Sequence, residues 1–280
     1  MSAMRFGLFA VNFGACADPV LQRRVARAAE ESGFDSIWTG EHVAMPVGDN
    51  PVGIDAATPI LDSLVTLGHL AAHTERVRLG TGILVLPHHN PMLLAKALAT
   101  LDVVSGGRLI AGFGGGYVEA EFKALGVSFR HRGAITDEYL DAMRAIWTEE
   151  VPRFSGRFAS FGDVRCEPKP VQRPHPPIVI GGRSPAALRR AARIGDGWYG
   201  FALTVEQTAE IVRDLGRLRA ELGRSDRPFE ISLTTFEKLT PDLVAQATDA
   251  GVHRLIVFPR VRPDALEETV RRLGSEFVQA

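Results

Sequence analysis

The sequence predicts a closed (β/α)8 barrel, and three observations carry that expectation. Short apolar runs alternate with amphipathic helical segments eight times along the 280 residues. The runs are continuous rather than alternating, which is the pattern of parallel strands buried on both faces. Eight such units in ~250 residues match the size of the closed barrel, whereas a doubly wound open sheet accounts for the first half only. One domain over 1–280 is therefore expected, with an insertion at about 152–177.

Arg5–Asn12 (RFGLFAVN) reads as the first strand. Pro19 opens a helix to Ser32 that carries Val20, Leu21, Val25 and Ala28 on one stripe, and Gly33 is its C-cap. Phe34–Thr39 is the second strand and leads to Gly40-Glu41-His42. Met45–Pro59 is rich in Pro, Gly and Asp and too long for an ordinary connection, which marks a functional or mobile loop. A helix is expected from about Ile60 to His73. The third strand lies within Arg76–Asn90 and holds Gly80 and Gly82. A glycine inside a strand marks a bulge or a close approach to the backbone, so a ligand and a tight barrel corner both remain open there.

Pro91–Val104 reads as a helix, Arg108–Phe113 as the fourth strand, and Gly133–Trp147 as a helix. The proline-rich Pro152–Pro177 stretch is an excursion over one face, because the alternation resumes directly after it. Pro177–Gly181 is the fifth strand, and Ser184 and Pro185 start a helix to Ile194. Gly197–Phe201, Phe229–Thr235 and His253–Phe258 complete the strands. Helices at Val205–Leu222, Asp242–Ala250 and Asp264–Leu273 follow them.

Composition narrows the function. A net charge of −1 gives no footprint of nucleic-acid or membrane binding. No apolar run approaches the ~18 residues of a membrane span. Met1–Ala15 lacks the features of a signal peptide. Cys16 and Cys166 read as unpaired thiols of a reducing compartment, so a cytoplasmic location is expected.

In such a barrel the active site lies at the C-terminal strand ends. Those ends deliver Asn12, Glu41-His42, Gly82-Ile83, Gly114–Tyr117, Gly181–Ser184, Trp198, Tyr199, Thr235 and Glu237. Gly181-Gly182-Arg183-Ser184 at a helix start is fit for phosphate, because amides and the positive dipole end meet a fixed cation there; a plain serine-capped turn is the other reading. Gly112–Tyr117 resembles a dinucleotide fingerprint only superficially. It ends in Tyr117 and follows the fourth strand rather than the first, so it is expected to make room for a flat ring. His42 is placed to exchange a proton near neutral pH or to serve a structural bond. His42, His88, His89 and His131 match no ligand spacing, and no metal is expected.

Five segments carry a family resemblance: GFDSIWTGEH, the run from Arg76 to Val127, RGAITDEYLDAMRAIW, CEPKPVQRPHPPIVIGG and ARIGDGWYG. Through them the chain resembles the luciferase-like flavin-dependent oxidoreductases, most closely the branch using the deazaflavin coenzyme F420. The resemblance implies the same barrel and a non-proline cis peptide at Gly82-Ile83, beside Thr81, against the coenzyme ring. It further implies phosphate contacts at Gly181, Gly182, Arg183 and Ser184, the Glu41-His42 pair near ring and substrate, and Gly114, Gly115 and Gly116 along the ring edge. Sugar-phosphate dehydrogenases of the family carry a glutamate after the fourth-strand glycines; Tyr117 stands there instead. Sugar-phosphate oxidation is therefore not expected, and the proton falls to His42 or Tyr117. Glu119 and Glu121 lie nearby, but a helix is expected to direct them elsewhere.

The implied function is F420-dependent hydride transfer to or from a small organic substrate. FMN-dependent monooxygenation, with a partner flavin reductase, and non-catalytic flavin binding are the alternatives. A homodimer is usual for such proteins.

Overall fold

Eight parallel strands close on themselves in the computed structural model, which describes residues 4–48 and 51–279. They are β1 (Arg5–Phe9), β2 (Ser36–Thr39), β3 (Arg78–Thr81), β4 (Leu109–Gly114), β5 (Ile178–Gly181), β6 (Gly197–Phe201), β7 (Glu230–Thr234) and β8 (Arg254–Val257). β8 pairs back onto β1, with Leu255 beside Phe6. β3 pairs with β4, with Leu79 beside Leu109. Leu84–Val85 then prolongs the path of β3 and keeps pairing with β4, Leu84 beside Phe113.

The surrounding helices are α1 (Pro19–Glu31), α2 (Ser63–Ala71), α3 (Pro91–Val104), α4 (Glu119–Ala124), α5 (Arg132–Thr148), α6 (Pro185–Ile194), α7 (Val205–Glu221), α8 (Pro241–Asp249) and α9 (Leu266–Leu273). Several start on a residue suited to it. Asp18 accepts from the amides of Val20 and Leu21, Asn90 from those of Met92 and Leu93, and Thr204 forms a capping box with Gln207. Each such cap is worth roughly 1 kcal/mol.

Strand alternation produces two cores. Ile37, Leu79, Phe113 and Ile180 face outward onto a helical layer that includes Val25, Leu67, Leu98, Met143 and Trp147. Phe9, Trp38, Ile110, Val179, Tyr199 and Ile256 fill the barrel interior. Full burial of each large apolar side chain contributes about 1.5–3 kcal/mol.

Glycines are needed where the interior is tightest. A Cβ on Gly80 would lie 2.4 Å from the Trp38 ring, and one on Gly112 would lie 1.9 Å from the Thr81 carbonyl oxygen. Of the two readings for the third-strand glycines, Gly80 is thus explained by the barrel's own packing.

The N-terminal end of the barrel is closed by charge. Arg254 is fully buried; it donates to Asp35 at 2.7 and 3.0 Å and to Glu230 at 3.0 Å. Burial by itself pushes both carboxyls up, but Arg254, joined at Glu230 by Arg5 (2.9 Å), more than offsets it, and Asp35 and Glu230 stay below the usual carboxylate range.

The first strand stops short of the expected Asn12. Ala10 has a positive φ of 65°, and the Asn12 side chain is spent on the carbonyls of Gly40 (2.8 Å) and Leu61 (2.7 Å). Those bonds hold Leu61 in the connection, so α2 starts at Ser63 rather than Ile60. The 152–177 excursion holds an antiparallel hairpin, Phe154–Ser155 with Ser160–Phe161, whose turn amides donate to Glu138. Residues 49 and 50 of the Met45–Pro59 loop lie outside the described residues. Among the described residues no helix is long and apolar enough to cross a membrane.

Candidate active site

The C-terminal strand ends converge on one mouth, and its floor is the link between Thr81 and Leu84. The Gly82–Ile83 peptide is cis, as the resemblance implies. The Gly82 amide donates to the Thr39 carbonyl at 2.7 Å. Beneath it Tyr199 stacks on Trp38, with centroids 5.7 Å apart. The Tyr199 hydroxyl bonds Thr234 at 2.8 Å. Burial, only partly countered by that bond, pushes its pKa well above that of free tyrosine, so it is a structural group rather than a proton carrier. Trp198 faces the other way and donates its indole N–H to the Gly182 carbonyl at 2.8 Å.

Thr81 is fully buried, and its hydroxyl is engaged twice by Gly112, donating to the carbonyl at 2.9 Å and accepting from the amide at 2.7 Å. Its side chain therefore binds β4. Two of the three glycines at the end of β4, Gly114–Gly116, likewise serve the protein. A Cβ on Gly114 would lie 2.6 Å from Ile83, and one on Gly116 would lie 2.5 Å from Val85. Gly115 alone is open, with Thr136 Oγ1 at 3.5 Å its nearest neighbour.

Glu41 and His42 follow β2 and diverge. Glu41 accepts from the Val85 amide at 2.5 Å and pairs with His89 Nε2 at 2.8 Å, which ties β2 to the segment after the cis peptide. Burial lowers the His89 pKa, but the Glu41 contact outweighs it and the net shift is upward. His42 turns instead to Glu121. The Nδ1–Oε2 distance is 3.3 Å, while Oε1 accepts from the Val43 amide at 2.8 Å. Glu121 is only 2% exposed.

The expectation that a helix would direct Glu121 elsewhere is therefore corrected. α4 carries Glu121 and Phe122 on its buried side, with Val118 buried just before it, and the carboxylate accepts from the Val43 and Ala44 amides. The sequence held the signal: Val118, Glu121 and Phe122 stand at i, i+3 and i+4, a short inward stripe with one acid in it, while Leu125 at i+7 is exposed. Glu119 is exposed, as expected.

Tyr117 is 58% exposed and stands edge-on to His42, with ring centroids 6.3 Å apart. Burial and the nearby Glu121 charge push its phenol up. His88 lies behind, against Phe122 (4.5 Å), and both its ring nitrogens are buried without a hydrogen-bond partner among the described residues. Burial pushes its pKa down, so it is held neutral. Among the described residues no group of three or more His, Cys, Asp or Glu is arranged to hold a metal ion.

On the far side, Gly182 takes a positive φ of 108°, Arg183 is exposed, and Ser184 caps α6 by accepting from the Ala187 amide at 3.2 Å. A helix start and a cation thus meet where the sequence places them.

Residues 4–256 match the luciferase-like monooxygenase family, and the chain belongs to it. An uncharacterized protein of Mycobacterium tuberculosis is 35% identical over 263 residues, covering 90% of this chain and 92% of that one. The FMNH2-dependent dimethylsulfone monooxygenase of Pseudomonas putida is 31% identical over 262 residues, 92% of this chain and 66% of that protein. The coenzyme F420-dependent tetrahydromethanopterin reductase of Methanopyrus kandleri shares the fold at a TM-score of 0.78 and 16% identity, over 99% of both chains.

Proposed function

We propose that this protein is an F420-dependent oxidoreductase that moves a hydride between the deazaflavin and a small organic substrate. The observation that carries the reading is the His42–Glu121 pair after β2, at the barrel mouth. Hydride transfer to a carbonyl or an activated double bond needs a matching proton, and a histidine held by a carboxylate is suited to supply it.

The residues present fit a flat ring with a phosphate-bearing chain. Ile83 and the main chain around it form an apolar floor, Gly115 opens one edge, and Arg183 and Ser184 stand at a helix start. When bound, the deazaflavin supplies or accepts the hydride at a ring carbon. The chain does the rest. Glu121 engages His42 Nδ1 and leaves Nε2 for proton exchange with substrate, and Tyr117 covers His42 at the entrance.

A second reading, FMN-dependent monooxygenation with reduced flavin from a partner reductase, is favoured by the 31% identity to the dimethylsulfone monooxygenase. Titrating the full chain with F420 and with FMN, following ring fluorescence, separates the two. Saturable F420 binding is expected. A response to FMN alone would overturn the F420 reading in favour of the monooxygenase.

A further inference from the structure

Half of the barrel mouth is aromatic and is not used by the coenzyme contacts described above. Phe201 ends β6, Phe236 follows β7, Phe258 follows β8 and Phe13 follows β1. The rings form one connected wall: Phe201 to Phe236 at 5.7 Å, Phe236 to Phe258 at 6.3 Å, and Phe9 to Phe13, Phe201 and Phe258 at 6.0, 5.2 and 5.5 Å. Phe201 and Phe236 are 44% and 47% exposed. Single exposed apolar residues are ordinary, but a contiguous aromatic patch marks a binding surface. Phe9 also reaches Tyr199, at 6.5 Å, so the wall runs from solvent to the floor under Gly82.

Arg260 gives this wall a charge. Its guanidinium lies 3.8 Å from the Phe236 centroid and 5.6 Å from that of Phe258. No carboxylate among the described residues pairs with it, although Arg262 two residues on pairs with Asp264. A guanidinium lying over a ring and paired with no carboxylate keeps N–H donors for a bidentate anion.

We propose that this half of the mouth is the substrate pocket and that it takes an apolar or aromatic molecule carrying a carboxylate. The phenylalanines receive the body and Arg260 receives the carboxylate. The inference rests on the oxidoreductase reading for its reaction, but not for the binding preference itself.

The test is calorimetry on the full chain with 4-phenylbutyrate and its neutral counterpart 4-phenylbutanamide, at low salt and without coenzyme. The acid is expected to bind about three- to fivefold tighter, the range of an exposed charge-assisted contact. Arg260→Met should abolish that difference, and Phe236→Ala should weaken acid and amide alike. Equal affinities in the unmodified chain, or no binding of either probe, would overturn the pocket. So would an Arg260→Met chain that discriminates as before, or one that loses F420 affinity instead, since the cation would then serve the coenzyme's own anionic tail. Failure of F420 to bind while phenylbutyrate discrimination persists removes the coenzyme assignment and leaves the pocket standing.

Discussion

Glu121 reaches from α4 to His42 Nδ1 across 3.3 Å, joining positions 79 residues apart in the chain. The second carboxylate oxygen is fixed by the Val43 amide, so the acceptor facing the imidazole cannot swing away. A carboxylate at Nδ1 selects the tautomer with its proton there and fixes the ring's orientation.

Glu121→Gln tests that relationship directly. Losing an orienting partner of this kind costs roughly 10- to 100-fold in turnover. Coenzyme affinity, read by fluorescence titration, should stay within about twofold, because turnover and not binding is the step a proton partner serves. His42→Ala should lower turnover at least as far. Adding Glu121→Gln to it should cost nothing more, since the carboxylate then has no imidazole to orient. Additive losses would show that Glu121 acts independently of His42.

The inner packing gives a stability prediction of a different kind. Gly112→Ala places a methyl 1.9 Å from a backbone oxygen of β3, and Gly80→Ala places one 2.4 Å from a fully buried indole. Overpacking of this sort costs about 1–3 kcal/mol, more where backbone must move. Urea midpoints should fall for both variants, and further for Gly112→Ala. The nearest atom to a Cβ on Gly115 is 3.5 Å away, so Gly115→Ala should leave the midpoint nearly unchanged and act, if at all, on coenzyme binding.

How much of this was legible beforehand depends on the range of the interaction. Strand and helix order is written in local periodicity, and the barrel followed from counting units. The helix start at Ser184-Pro185 was legible for the same reason, because capping is decided within four residues. Contacts set by closure were not. That Thr81 spends its hydroxyl on Gly112, or Glu41 its carboxylate on Val85 and His89, depends on which strands become neighbours. Those residues stand in strand-end positions like the others, and only the assembled barrel divides side chains that hold the scaffold from those left for a ligand. Glu121 is the instructive miss: the helical stripe was present in the sequence, but α4 is a single short helix outside the regular alternation.

Arg183 carries the phosphate side of the proposal. Arg183→Met should raise the F420 dissociation constant about three- to tenfold with turnover at saturation retained, because a contact to the remote phosphate serves ground and transition states alike. The effect should shrink as salt rises, since the side chain is exposed and screened. Titrations at low and high ionic strength check both parts. A salt-independent loss would point to a packing role.

The ionic closure at the N-terminal end makes stability depend on pH in a defined direction. Asp35 and Glu230 have folded-state pKa values below their unfolded ones, so their contribution is fully present above the unfolded carboxylate range of about 4 and is lost as pH falls through the lower, folded values. Removing the cation reverses the logic. Arg254→Met leaves Asp35 with the Ser36 hydrogen bond but without the two from Arg254. Breaking a fully buried pair from one side costs roughly 3–5 kcal/mol, and the part-exposed Asp35 places this loss at or below the lower end of that range at neutral pH. Without Arg254 only the Ser36 hydrogen bond and the Arg5 charge still oppose the burial penalty on Asp35, so its pKa rises and the carboxyl takes up a proton more readily in the folded state. Acidification from pH 7 to about pH 4 should therefore narrow the stability gap between the two chains, because protonation relieves the stranded charge only in the variant. Urea unfolding at several pH values measures that gap. A gap that stays constant or widens on acidification would mean that Asp35 stays ionised without Arg254 and that other groups carry the closure.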